Sequence, residues 1–104
     1  MHRIGFKMKL FNGCEDEYKK RHDEIPDELI SLLKSAGISE YYIFLDDKSG
    51  DLFGVMNAED EGKMKELSSN PVMKKWWNFM KDIMDTNEDN SPASIPLKEV
   101  FYMK

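Results

Sequence analysis

Three consecutive segments decide the fold: Tyr41-Tyr42-Ile43-Phe44-Leu45-Asp46, then Asp47-Lys48-Ser49-Gly50-Asp51, then Leu52-Phe53-Gly54-Val55-Met56-Asn57-Ala58. Aromatic and β-branched runs flank a polar connector that contains a glycine, which is the composition of a β-hairpin. Upstream, Cys14 to Ala36 changes to helical spacing, with Cys14, Tyr18, His22, Ile25, Leu29, Leu32, Leu33 and Ala36 on one stripe. Pro26 lies inside that stretch and is expected to kink or restart it, because it lacks an N–H and restricts Ile25. Gly37 supplies the stop. Downstream, a weak helical stretch over 59–69 precedes Asn70-Pro71, and a stronger helix is expected over 72–84, with Trp76 and Trp77 on its broad apolar face.

The ends complete the pattern. Arg3–Leu10 alternates, with Ile4, Phe6, Met8 and Leu10 on one side, and the turn Asn12-Gly13 follows. A polar loop over 86–96 leads to a last strand, expected over 97–103. The order strand, helix, strand, strand, helix, strand predicts an α+β fold of the ferredoxin-like βαββαβ type, an antiparallel sheet with both helices on one face. The strands are apolar on both faces: Tyr41, Ile43 and Leu45 oppose Tyr42 and Phe44, and Leu52 and Met56 oppose Phe53 and Val55. Helices on one side leave the other needing a cover. A second copy of the same sheet is the expected cover, giving a face-to-face homodimer, a dimeric α/β barrel.

The 104 residues suit a single domain, 1–104. Twenty acidic against 15 basic residues give a net charge of −5, which argues against a phosphate-backbone partner. A hydrophobic fraction of 40% is enough for a packed core. Cys14 stands alone, so no internal disulfide forms, and a reducing compartment fits. No run approaches the ~20 apolar residues of a membrane span. Arg3, Lys7 and Lys9 interrupt the N-terminal stretch, which therefore lacks a secretory core. A soluble cytoplasmic protein without a membrane partner is the expectation.

Two features bear on chemistry. His2 sits at an end expected to fray. His22 shares a helical face with Tyr18 four residues earlier; such a histidine is commonly a satisfied core residue, and it becomes a general acid or base only if a cavity opens above it. Trp76 and Trp77, about 100° apart on their helix, can border one groove. An indole beside a polar pocket offers an apolar face to a sugar ring and an N–H to a hydroxyl. Tyr18, Tyr41 and His22 could supply that polarity. Arg21 and Lys20 are expected in solvated pairs with Asp16, Asp23 or Glu24. No phosphate loop and no metal-ligand spacing occurs, and Cys14 stands about 12 Å from His22 along the helix, too far for a nucleophile pair.

Glu17-Tyr18-Lys19-Lys20-Arg21-His22, Tyr41-Tyr42-Ile43-Phe44-Leu45-Asp46, Trp76-Trp77-Asn78-Phe79-Met80, Asp89-Asn90-Ser91-Pro92 and Glu99-Val100-Phe101-Tyr102 together resemble the L-rhamnose mutarotase family over essentially the whole chain. The resemblance implies a cytoplasmic homodimer of ferredoxin-like protomers that interconverts the α and β anomers of L-rhamnose without metal or cofactor. It implies His22 as proton donor and Tyr18, Tyr41, Trp76 and Trp77 as sugar-binding residues; from the chemistry of a hemiacetal, Tyr18 is expected to orient His22 or relay a proton through water. Asp89 and Asn90 lie in the last loop, within reach of the pocket, and are assigned no role. One departure is visible: the family often carries Ile-Trp-Pro-Glu-Leu where this chain has Ile25-Pro26-Asp27-Glu28-Leu29. Two rival readings use the same architecture. One is a haem-binding oxygenase with His22 on iron and an indole on the porphyrin; the other is a non-catalytic dimeric ligand-sensing module with both indoles buried.

Overall fold

The hairpin forms where the sequence places it. In a computed structural model that describes residues 2–104, β2 (Ile38–Asp46) and β3 (Asp51–Ala58) pair antiparallel from Asp46↔Asp51 onward. The connector closes through the Gly50 N–H donating to the Asp46 carbonyl, and Gly50 takes the left-handed conformation at φ 81°. β1 (His2–Lys9) lies on the other side of β3, also antiparallel, from His2↔Ala58 to Lys9↔Asp51. His2, expected to fray, is therefore a paired strand residue.

Helices fill the connections. α1 (Glu15–Asp23) and α2 (Asp27–Ser35) are separate, broken at Pro26, whose φ of −61° and ψ of 139° serve as the N-cap of α2. Gly37 ends α2 at φ 83°. After β3 come α3 (Glu61–Glu66), a 3₁₀ turn (Leu67–Ser69) and α4 (Pro71–Met80). α4 stops four residues short of its expected end. Ile83 and Met84 nevertheless stay buried because turns return them to the sheet, where Met84 bridges Leu10 and the Phe11 N–H donates to the Ile83 carbonyl.

The last strand differs from expectation. β4 is Ile95–Leu97, paired with Gly5–Lys7 of β1, while 98–104 forms no strand. Pro96 does not prevent pairing because β4 lies at the sheet edge, where a missing N–H on the solvent side costs no ladder bond. The alternation beyond Leu97 meets no pairing strand within the chain, so it stays irregular, with Val100 and Phe101 exposed. The sheet order β2-β3-β1-β4 is that of the ferredoxin-like fold.

The strand faces divide as read. Leu52, Met56 and Ala58 are buried against the helices, where Met8, Leu10, Leu52, Tyr18, Met80, Ile83 and Met84 make one core cluster. On the opposite face Tyr42, Phe44, Ile95 and Leu97 stand exposed, and the Tyr42 and Phe44 rings stack at 6.4 Å.

Candidate active site

α1 presents two of the candidate residues, Tyr18 and His22. One turn apart, Tyr18 and His22 stack with ring centroids 4.3 Å apart. The His22 Nδ1–H donates to the Tyr18 backbone carbonyl at 3.0 Å. A carbonyl can only accept, so Nδ1 keeps its proton and Nε2 is the nitrogen left to exchange one. Burial pushes the His22 imidazole below its ordinary value, opposed in part by that carbonyl bond and by the Asp23 charge. The resting ring is thus neutral at physiological pH, with a lone pair on Nε2.

α4 supplies the opposite wall. Asn70 caps it, its side chain accepting from the Val72 N–H at 2.9 Å, and Pro71 starts the first turn. Trp76 meets His22 edge to face, centroids 5.3 Å apart. The floor comes from the sheet. Between the pairs Ser39↔Asn57 and Tyr42↔Val55, Glu40 and Tyr41 stand against Met56 alone, which is a β-bulge with Glu40 left-handed at φ 50°. The bulge shifts the side-chain sequence by one position, so that Tyr41 joins Ile38 on the helix side. Phe6 supports Tyr41 edge-on at 6.1 Å.

These elements border a half-open cavity of about 720 Å³. Tyr18, His22, Tyr41, Trp76 and Trp77 all line it. Burial raises the Tyr18 phenol well above its ordinary range and pushes the Tyr41 phenol up to about 12, so both remain protonated hydroxyls. Tyr41 still has 40% of its surface accessible, where a small molecule entering the hollow can reach it. Among the described residues, neither tyrosine hydroxyl and neither indole N–H is bonded to another residue, and no buried side-chain polar atom is stranded. Those groups are available to a ligand.

Some lining residues escaped the sequence reading. Met8, Met73, Met80 and Met84 line the apolar part, and Pro92 closes one side. Their type suggests only core filling, so nothing in the sequence flagged them. Asp89 and Asn90 do not line the cavity; the Asp89 carboxylate instead accepts from the Ser91 N–H at 3.0 Å, and Asn90 is left-handed at φ 70°. Arg21 pairs with Glu17 and Asp82 rather than with Asp16, Asp23 or Glu24. At the departure from the family pattern, Ile25 faces the main cavity and Pro26 a second hollow of about 340 Å³, with Leu29 and Trp76 between the two. Among the described residues no cluster of three or more His, Cys, Asp or Glu is arranged to hold a metal ion.

Comparison with known proteins identifies the family and the fold. The family model described as L-rhamnose mutarotase matches residues 3–103. An L-rhamnose mutarotase of Formosa agariphila is 51% identical over 104 residues, covering all of both chains. Another, from Brucella anthropi, is 52% identical over 101 residues, covering 97% of this chain and 95% of its own. The crystal structure of a Formosa agariphila L-rhamnose mutarotase superposes with a TM-score of 0.93 at 49% identity, covering both chains completely. A crystal structure of an antibiotic biosynthesis monooxygenase, covering 96% of this chain and 99% of its own, matches at a TM-score of 0.63 and 10% identity, and shares the fold alone.

Proposed function

Because the chain belongs to the L-rhamnose mutarotase family, we propose that the cavity between its helices and sheet is where the α and β anomers of L-rhamnose interconvert. The protein is an isomerase acting at the anomeric carbon of L-rhamnose. The observation that carries the site assignment is the convergence of Tyr18, His22, Tyr41, Trp76 and Trp77 on one hollow roomy enough for a monosaccharide.

Mutarotation moves one proton and turns one bond. The C1 hydroxyl loses its proton, the bond from C1 to the ring oxygen breaks, and the ring oxygen gains a proton, leaving an aldehyde. Rotation about C1–C2 presents the other carbonyl face, and the steps reverse. His22 is the proton donor to the ring oxygen. Its resting lone pair on Nε2 first takes the C1 hydroxyl proton, and the imidazolium so formed hands that proton on. Both oxygens are bonded to C1, so one nitrogen can serve them without a second titrating group. A positioned proton-transfer group of this kind contributes ~10²–10⁴-fold. The Tyr18 and Tyr41 hydroxyls orient the sugar, and Trp76 and Trp77 hold its C–H surface while C1 turns.

Assembly and location belong to the same proposal. The outer sheet face with Tyr42, Phe44, Ile95 and Leu97 packs on a second copy, forming a homodimer. The cytoplasm is the expected compartment; no helix among the described residues is long and apolar enough to cross a membrane. The direct test follows anomer exchange of L-rhamnose by NMR in His22→Ala, with folding checked by circular dichroism. Exchange should fall to near the spontaneous rate, and a folded variant with wild-type exchange would remove His22 from the mechanism.

A further inference from the structure

Arg21 immediately precedes His22, but its side chain crosses from α1 to α4 and is only 10% exposed. Its Nε–H donates to Glu17 on its own helix at 2.7 Å. Its Nη1–H groups donate to the Phe79 backbone carbonyl at 2.7 Å and to the Asp82 carboxylate at 2.8 Å, and an Nη2–H reaches the other Asp82 oxygen at 3.2 Å. The guanidinium carbon also sits 4.2 Å from the Phe79 ring centroid.

Each bond has a reason. The Phe79 carbonyl is among the last four of α4, which lack partners within the helix. A cation there also meets the negative end of the helix dipole. The paired bonds to Asp82 are the fork geometry that guanidinium makes and ammonium cannot. Phe79 in turn packs on Trp76 at 5.9 Å, and Trp76 meets His22 at 5.3 Å. The contacts therefore close a circuit from His22 through Arg21, Phe79 and Trp76 back to His22. Close backbone packing in this helical layer is α2 on α4, so α1 is joined to α4 chiefly by side chains.

We propose that Arg21 is a positioning residue, whose bond to the Phe79 carbonyl at the end of α4 and whose fork onto Asp82 just beyond it fix the separation between His22 Nε2 and the Trp76–Trp77 wall. The inference rests on the site assigned above. It is tested in the full chain with Arg21→Gln, Asp82→Asn and the double variant, following L-rhamnose anomer exchange over a range of sugar concentrations. Misplacement costs rate rather than affinity, so kcat should fall ~10–10²-fold while KM moves far less. The double variant should be no worse than Arg21→Gln alone, because both changes open the same clamp. Arg21→Lys should recover only part, having the charge without the fork.

A purely structural residue would lower the melting temperature and leave kcat at room temperature as in wild type; that result overturns the proposal. Additive losses in the double variant, or a loss carried wholly by KM, overturn it too. Should Arg21→Gln fail to fold, Asp82→Asn, altered at a side chain 64% exposed, carries the same comparison. His22→Gln separates the two levels. If it is inactive while the clamp variants run normally, only the clamp falls; if it exchanges anomers at the wild-type rate, the site assignment falls first.

Discussion

At the scale of single residues, burial of the His22 imidazole, only partly opposed by its bond to the Tyr18 carbonyl, sets the direction of the pH profile. In the proposed cycle the neutral ring is the starting form, and burial holds its pKa below the ordinary 6.5. Neutral imidazole therefore persists to lower pH than in a free histidine. kcat/KM measured by NMR exchange should be flat above about pH 6.5 and decline below it. A rate that instead falls as pH rises through neutrality would make imidazolium the entering form. Gly54 offers a steric test. A Cβ built there would lie 2.4 Å from Phe6 Cζ, so the ring that supports Tyr41 must move. Gly54→Ala should raise KM for the sugar and cost about 1–3 kcal/mol of stability as overpacking, read by denaturant melts.

At the scale of elements, α4 carries both indoles and depends on its first turn. Asn70→Ala removes the acceptor for the Val72 N–H and should cost about 1 kcal/mol, visible as a lower urea midpoint. Leu52, fully buried in the middle of β3, is the core position to compare: Leu52→Ala should cost about 2–5 kcal/mol. Element identity was largely legible because period-2 and helical patterns are local: the hairpin and the break at Pro26 both follow from neighbouring residues. The end of the chain was not. Alternation over 97–103 reads as a strand, but a strand also needs a partner, and partners are not local. Likewise Tyr41 was legible as a site residue, whereas the bulge at Glu40 that aims it inward has no glycine to mark it. The circuit through Arg21 was hidden because its partners Phe79 and Asp82 lie about sixty positions away.

At the scale of the whole molecule, one sheet separates the proposed sugar cavity from the surface proposed for self-association. Phe44, 64% exposed on that surface, is where a charge should break the dimer. Phe44→Glu should halve the mass seen by light scattering, and an unchanged mass would place the interface elsewhere. Because the cavity lies on the far side, sugar binding per protomer should survive, and each protomer should turn over independently of its neighbour. The strands that separate the two surfaces serve both at once. A substitution scan down β2 from Tyr41 to Leu45 should therefore yield two phenotypes in turn, every second codon impairing turnover and the intervening ones impairing self-association. The same reading frame of defects, offset by a residue, should run down β3.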